Sequence, residues 1–552
     1  MKMEKYPHYL ARLQDATRNF WDKSALNNYQ GESFTYGQMA FNIERFHIFF
    51  DEIGIKKGEK IAICARNSAR WGISYLSINT YETVVVPILA DFTPESVNYL
   101  TDHSESVGLF INADKWDKLD IAKMPKLKFV IDIDNWNLLY SKYSEIEDKY
   151  NSLDGLFNEK HPEGYGPEDV VFPTNNWDNL STINYTSGST GSPKGVMLTY
   201  RNFSATVDFS QRNMPASDKY KMLSMLPMAH MYGLVIEFIY PLCNGSAIYW
   251  LGKTPTPSTL LKAFAEVKPY LLVTVPLVME KIFKAKIKPM LDKPVMKVAV
   301  KIPGLNNIIF NKIRKGLENA FGGNIQEFIM GGAAVNPEVE KWFKKVKLPY
   351  VVGYGMTEAT PLLAYEHYEK YVAGSCGKAV DCAIVRIDSD DPQHIVGEIQ
   401  AKGDNICIGY FKNPEASANA FTEDGYLKTG DLGIIDAEGN IFIRGRSKNM
   451  ILGPSGQNIY PEEVEAIVNN QDYVLESVVV DRGAKLVALV YLDEQAIAKS
   501  LLDKEAISEI PENIKIGANK LLPAYSLITK VEVMDKPFEK TPKMSIKRFM
   551  YK

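Results

Sequence analysis

Short apolar runs bounded by turn residues alternate along this chain with stretches whose apolar positions recur every three to four residues. Runs at 60–64, 107–112, 129–133 and 271–275 predict buried β-strands, and several of the amphipathic stretches between them predict helices. The pattern recurs at 325–330, a strand, then at 337–346, a helix opened by Pro337 and capped by Asn336, then at 349–352, another strand. Strands alternating with helices predict a layered α/β architecture whose functional loops lie at strand ends. After residue 380 the texture shifts to short strands and Gly/Asp turns, with Glu438-Gly439-Asn440 reading as a hairpin turn, so a small β subdomain is expected there. Beyond Lys448, a helix at 461–469 and strands near 477–481 and 486–492 predict a compact second α/β unit. The expected division is a large multi-lobed N-terminal domain over 1–447 and a small C-terminal α/β domain over 448–552.

One stretch is long and apolar enough to cross a bilayer: between Met222 and Gly252 the only acidic or basic side chain is Glu237. Pro227, Pro241, Asn244 and Gly245 interrupt it, and broken backbone has no hydrogen-bond partners in lipid. Two buried α/β elements joined by a turn are therefore expected, in a soluble protein. The N-terminal residues carry a charge every few positions and lack the apolar core of a secretory leader. Cys64, Cys243, Cys376, Cys382 and Cys407 are odd in number and have no metal-ligand spacing, as free thiols in a reducing compartment would be. A cytoplasmic location is the expectation. The formal net charge of −4 gives no general attraction to nucleic acid, which is not expected as a partner. Locally, residues 281–301 hold seven lysines and one aspartate among Ile, Met and Val. Such a segment is either a solvated basic face or a peripheral contact with an anionic membrane surface, and the first reading is the simpler one.

The densest chemical signal is Tyr185-Thr-Ser-Gly-Ser-Thr-Gly-Ser-Pro-Lys-Gly-Val196, in which glycines and hydroxyl side chains surround one lysine. Such a loop suits phosphate. Glycines let backbone N–H groups approach an anion, hydroxyls add donors, and Lys194 supplies a mobile positive charge. Two residues separate Gly191 from Lys194 and no Ser/Thr follows the lysine, so this is not the Walker pattern. The segment closely resembles the signature loop of the adenylate-forming superfamily, which includes acyl-CoA synthetases, peptide-synthetase adenylation domains and beetle luciferases.

Further segments carry the same resemblance. In the loop itself it implies that Thr186, Ser187, Gly188, Ser189, Thr190, Gly191 and Lys194 bind ATP. Gly353-Tyr-Gly-Met-Thr-Glu358 follows a predicted strand and resembles the family segment in which Tyr354, Gly355 and Met356 border adenine. There Thr357 would donate to the α-phosphate or the acid, and Glu358 would bind Mg2+ as a hard oxygen ligand. Gly331-Gly-Ala-Ala334 resembles the segment lining the adenine and acyl pockets, through Gly332 and Ala333. Asp431, at the end of Tyr426-Leu-Lys-Thr-Gly-Asp431, matches the acceptor of the ribose hydroxyls, and Arg446 matches an arginine that contacts ribose or phosphate. Lys448 aligns with the hinge about which family members swing a mobile small domain. Gly456 and Gln457 open the segment that approaches CoA, and His230 matches a residue bordering the acyl carboxylate.

The resemblance breaks at one position. The family pattern places a catalytic lysine where Lys540-Thr-Pro-Lys-Met-Ser-Ile-Lys-Arg548 has Ser545. Serine supplies no charge, so Lys543 or Lys547, each two residues away and on the same side of an extended loop, is expected to substitute, with Lys543 favoured. The implied reaction is ATP- and Mg2+-dependent activation of a small-molecule carboxylic acid, a medium- or long-chain fatty acid, followed by transfer to CoA. Apolar residues at 232–238 and 276–278 are candidates for an acyl tunnel. Alternatives are delivery to a carrier protein, an aryl acid substrate, or a nucleotide-binding protein impaired by Ser545.

Overall fold

Apolar runs this continuous cannot face water on either side, and the fold buries both faces of the strands they form. The structure, a computed structural model, describes residues 6–186, 193–252, 256–453, 457–483, 485–500, 502–540 and 546–551. Strand Lys60–Cys64 sits at the centre of a seven-stranded sheet in the order Leu138–Ser141, Phe129–Asp132, Ser106–Ile111, Lys60–Cys64, Val84–Ile88, Leu180–Thr186, Lys194–Thr199. The five inner strands are parallel and each outermost strand pairs antiparallel. Successive side chains point to opposite faces, so Ile61, Ile63, Phe110 and Ile131 enter the main core while Ala62, Cys64, Leu109 and Val130 enter a second one.

A second seven-stranded sheet runs Tyr350–Val352, Glu327–Met330, Leu271–Thr274, Lys221–Ser224, Ala247–Trp250, Ser24–Asn28, Ser33–Thr35, parallel except for the last pair. Parallel neighbours need crossovers, and helices Pro257–Val267, Leu305–Ala320 and Pro337–Val346 supply them. The last of these begins as expected: Asn336 accepts hydrogen bonds from the amides of Glu338 and Val339. The expected strands appear, those at 60–64 and 486–492 with the expected ends and the others with an end shifted by one to three residues.

The β subdomain is a four-stranded antiparallel sheet, Ala383–Asp388, Gly397–Gly403, Leu427–Ile435, Ile441–Arg446. Its last turn contains Glu438-Gly439-Asn440, and Asp436 closes it by accepting from the amides of Glu438 and Asn440. The smaller C-terminal domain packs helices Pro461–Val468 and Lys504–Asn519 on one face of the sheet Val474–Asp481, Leu486–Leu492, Ile528–Val533. Its own short ribbon, Ile451–Leu452 with Asn458–Ile459, precedes that helix pair.

The apolar stretch at 222–252 forms strand Lys221–Ser224, π-helical segment Gly233–Ile239, a short helical turn Tyr240–Leu242 and strand Ala247–Trp250, all built into the main core. Among the described residues no helix is long and apolar enough to cross a membrane. Leu234, Val235, Ile236 and Phe238, in the candidate tunnel segment at 232–238, are buried in the main core.

The lysine-rich segment departs from a simple solvated face. Lys284 donates to the carbonyl oxygen of Asn469 at 2.9 Å, and Lys288 pairs with Asp472 at 3.5 Å. The Asn336 side chain donates to that of Asn470. These lysines join the two domains, whereas Lys293, Lys297 and Lys301 remain exposed.

Candidate functional site

Ligands of parallel α/β sheets bind beyond the carboxyl ends of the strands, and most of the motif residues lie there or on the hairpin that follows strand Leu180–Thr186. That strand pairs with Lys194–Thr199, with Thr186 opposite Lys194 in register. The connecting residues Ser187, Gly188, Ser189, Thr190 and Gly191 lie outside the described residues. The second strand is stitched to segment 408–411 by three backbone hydrogen bonds: Phe411 N to Gly195 O at 2.7 Å, Met197 N to Gly409 O at 2.9 Å, and Ile408 N to Met197 O at 3.1 Å. That lacing puts the Tyr410 ring beneath Lys194, whose Nζ is 5.2 Å from its centroid. The Tyr410 hydroxyl donates to Glu358 Oε1 at 3.0 Å. Burial and the neighbouring carboxylate hold that hydroxyl above its ordinary pKa, so it stays a donor. A cation, a phenol and a carboxylate are thus aligned beside the strand ends Thr186 and Lys194.

Glu358 reaches this point on a tightly packed path. Strand Tyr350–Val352 continues through Gly353, whose amide donates to Met330 O at 2.8 Å, into Tyr354–Gly355, which pairs with Leu362–Tyr365. A side chain at Gly355 would bring its Cβ within 1.8 Å of Pro361 O, so only glycine fits. Thr357 and Glu358 follow in a 3-10 turn, both buried, and the Cys407 amide donates to Glu358 O at 2.8 Å. Met356 is half-buried against the β-subdomain core that also contains Tyr354.

The second cluster centres on Asp431. Its Oδ2 accepts from the Tyr354 hydroxyl at 2.8 Å and its Oδ1 pairs with Arg446 Nε at 2.9 Å. The positions of Asp431 and Arg446 are cross-strand partners. Each carboxylate oxygen has two acceptor sites, so both can still receive a hydroxyl. Asp431 is 5% exposed while the Arg446 side chain is 66% exposed, which places a buried acceptor beside an exposed cation.

A third group lies beside strand Glu327–Met330. Gly331 donates to Thr274 O at 3.1 Å, and Gly332 takes the left-handed region at φ +82°, leaving Gly332, Ala333 and Ala334 exposed. Tyr232 lies against Gly331 and donates to Ile329 O at 3.2 Å. The half-buried His230 sits on a turn pinned from two sides. Asn184 donates to Ala229 O at 2.9 Å; Asn67 donates to Leu226 O at 2.7 Å and accepts from Met228 N at 2.8 Å.

The same turn is anchored from below by Glu237, which is 0% exposed and accepts from the Ser224 hydroxyl and the Leu226 amide, each at 2.9 Å, and from Met225 N at 3.2 Å. Burial pushes its carboxyl from 4.5 up to about 8 despite those donors. Below pH 4.5 it is neutral whether folded or unfolded; above that the unfolded chain ionises it first. Stability from this group should therefore fall as pH rises towards about 8, by about 1.4 kcal/mol per pH unit. Glu237→Gln is expected to remove that slope. Equilibrium unfolding of both proteins across this range checks it, and parallel slopes would count against the assignment.

The remaining candidates are more scattered. Lys448 lies in the exposed turn after Arg446, where the Asn449 and Met450 amides donate to Arg446 O. Gln457 is exposed on the ribbon, its carbonyl oxygen accepting from Gly453 N at 2.8 Å; Gly456 lies outside the described residues. Lys547 faces Glu539 at 3.8 Å within the small domain, and Lys543 also lies outside the described residues. Sequence reasoning passed over Tyr410, Asn67, Asn184 and the anchoring role of Glu237. Ile408-Gly409-Tyr410-Phe411 held a signal, a glycine at φ +130° followed by aromatics, but its partner strand lies two hundred residues away. Among the described residues no three His, Cys, Asp or Glu side chains form a metal cage. One buried carboxylate, Glu358, beside the strand that carries Lys194 fits Mg2+, which is commonly held by one or two carboxylates together with phosphates.

Comparison with known proteins agrees with this layout. The family described as AMP-binding enzyme matches residues 13–411, and its C-terminal domain family matches 448–551. Long-chain-fatty-acid–CoA ligase 4 of Saccharomyces cerevisiae is 29% identical over 468 residues, which span 77% of this chain and 66% of that protein. Long-chain-fatty-acid–CoA ligase FadD15 of Mycobacterium bovis is 25% identical over 93% of this chain and 89% of its own. The crystal structure of ATP-bound MatB from Rhodopseudomonas palustris superposes with a TM-score of 0.77 at 22% identity, over 99% and 98% of the two chains. Adenylate-forming CoA ligases use ATP, Mg2+ and CoA. With more than half its length matched, the chain belongs to the AMP-binding enzymes, the adenylate-forming family, within which it resembles the acyl-CoA synthetases.

Proposed function

We propose that this adenylate-forming acid–CoA ligase activates a medium- or long-chain fatty acid as its acyl-adenylate and transfers the acyl group to CoA. The observation supporting it most directly is the pair of clusters, Lys194–Tyr410–Glu358 and Tyr354–Asp431–Arg446, linked by the short span from Tyr354 to Glu358. One is suited to phosphate and the other to a ribose diol. The fatty-acid assignment is supported by the named relatives, and Gly453-Pro-Ser-Gly-Gln-Asn-Ile-Tyr-Pro-Glu-Glu463 carries the resemblance to long-chain acyl-CoA synthetases.

An ionised carboxylate is a poor electrophile, so it acts first as the nucleophile. Its oxygen bonds to the α-phosphorus of ATP, the bond to the β-phosphate oxygen breaks, and pyrophosphate leaves. The CoA sulfur then bonds to the acyl carbon, the carbon–oxygen bond to AMP breaks, and the thiol proton passes to solvent. In this reading Asp431 and Arg446 hold the ribose, Lys194 offsets phosphate charge, and Thr357 donates to the α-phosphate or the acid. Bound Mg2+ would neutralise phosphate charge, with Glu358 as its protein ligand. His230 and the Gly331–Ala334 segment border the acid. No cysteine is needed as a covalent nucleophile.

We further propose that the small domain begins at Lys448 and turns about it between the two half-reactions, bringing Lys543 and then the Gly456-Gln457 segment to the site. Pyrophosphate release against acids from acetate to palmitate, with and without CoA, tests the reading. Lys543→Ala is expected to slow release about a hundredfold, the effect of losing one transition-state donor. Lys547→Ala is expected to be milder, because Lys547 already faces Glu539. Release with no acid in the panel, despite ATP binding, would overturn the ligase reading and favour a protein impaired at Ser545. Preference for an aryl acid or a carrier-protein thiol would overturn the fatty acid or CoA assignment alone.

A further inference from the structure

The segment joining strand Leu271–Thr274 to strand Glu327–Met330 leaves several large apolar side chains in water close together in sequence. Val295 is 78% exposed, Val298 63%, Ile302 46%, Leu305 40% and Ile308 66%. All five lie between positions 295 and 308, and an apolar surface of this kind marks an interaction site. Val295 and Val298 are one turn apart on helix Pro294–Ala299, and Leu305 and Ile308 one turn apart at the start of helix Leu305–Ala320. That second helix already buries Ile313 and Leu317, so its outward apolar positions serve no internal packing.

Charge sharpens the reading. Between Lys293 and Lys315 there are five lysines, one arginine and no acidic residue. Lys293, Lys297 and Lys301 are exposed among the apolar side chains, and Lys312 and Lys315 extend the Leu305–Ile308 stripe along the same helix face. The nearby carboxylates are Asp292, which pairs with Lys297 and Lys288, and Glu318, which pairs with Arg314; neither offsets the remaining lysines.

We propose that this surface docks the enzyme on an anionic lipid bilayer, with the valines and isoleucines in the headgroup–acyl boundary and the lysines at the lipid phosphates. An anionic bilayer satisfies both halves of the patch. A second copy of this chain meeting the same face would set lysine against lysine, and a nucleic acid would leave the apolar side chains in water. The segment leaves the sheet at Thr274, whose carbonyl oxygen accepts from Gly331 N, so the docking surface is continuous in sequence with the acid side of the site. The inference goes beyond the catalytic reading and does not rest on it.

Flotation of the full chain with vesicles of phosphatidylcholine plus phosphatidylglycerol, against phosphatidylcholine alone, tests it. The protein should float with the anionic vesicles, weakly with neutral ones, and detach as salt is raised. The triple variant K293E/K297E/K301E should partition at least about a hundredfold less, since each basic residue near such a surface is worth roughly fivefold. V295S/V298S/I308S should lower partitioning with the charges intact. Unchanged melting midpoints show that both variants fold. Absence of the wild-type chain from anionic vesicles overturns the proposal, as does equal flotation of folded variants. A serine variant that floats normally but sediments at lower mass than wild type would make the patch a self-association face instead.

Discussion

Glu358→Gln should lower acid-dependent pyrophosphate release at least about a hundredfold while leaving the fold intact. Glutamine keeps the shape and an amide oxygen that still accepts from the Tyr410 hydroxyl, now 3.0 Å from Oε1. What disappears is the negative charge that a divalent ion needs at the phosphate loop. Because Glu358 is 9% exposed and sits in a turn closed by the Cys407 amide, alanine would confound lost chemistry with a lost contact; glutamine separates them. Tyr410→Phe should cost about tenfold, since it frees one carboxylate oxygen and keeps the ring beneath Lys194. Steady-state rates with ATP and Mg2+ varied independently decide the matter. A Glu358→Gln enzyme with wild-type turnover would remove Glu358 from the chemistry.

Asp431→Ala should raise the KM for ATP by roughly ten- to a hundredfold, the effect of losing charge-assisted hydrogen bonds to the ligand. A second effect is built into the fold. The Tyr354 hydroxyl donates to Asp431 and is buried, so alanine leaves a buried donor without its acceptor, which costs about 1–3 kcal/mol of stability. Arg446 adds little to that cost because its side chain is 66% exposed and can turn to water. The double variant Tyr354→Phe/Asp431→Ala should therefore recover part of the lost stability but none of the ATP affinity. Thermal unfolding beside KM measurements reads both. Full recovery of KM in the double variant would mean that Asp431 acts only through Tyr354.

Much of the site could be read in advance because its parts are local. Lys194, Glu358 and Asp431 each sit in a contiguous motif whose residue types state their chemistry, and the helix capped at Asn336 announces itself within four residues. Tyr410 illustrates what such reading cannot reach. Its role depends on the three backbone hydrogen bonds between segment 408–411 and strand Lys194–Thr199, a pairing that no local periodicity encodes. Glu237 is a similar case. The sequence shows a lone acid in an apolar stretch; only the folded chain reveals that it gathers Ser224, Met225 and Leu226 beneath the His230 turn.

The lysine-rich segment divides along the same line. Composition alone could not say that Lys284 and Lys288 face the small domain while Lys293, Lys297 and Lys301 remain in water beside exposed valines. By itself the sequence determined the alternation of strands and helices, the apolar faces, the caps and the motif residues, because each follows from side-chain pattern over a few turns or a single loop. Strand order, the partners of Glu358 and Asp431 and the sorting of the lysines were decided only in three dimensions, where residues far apart in the sequence meet the same buried donors and acceptors.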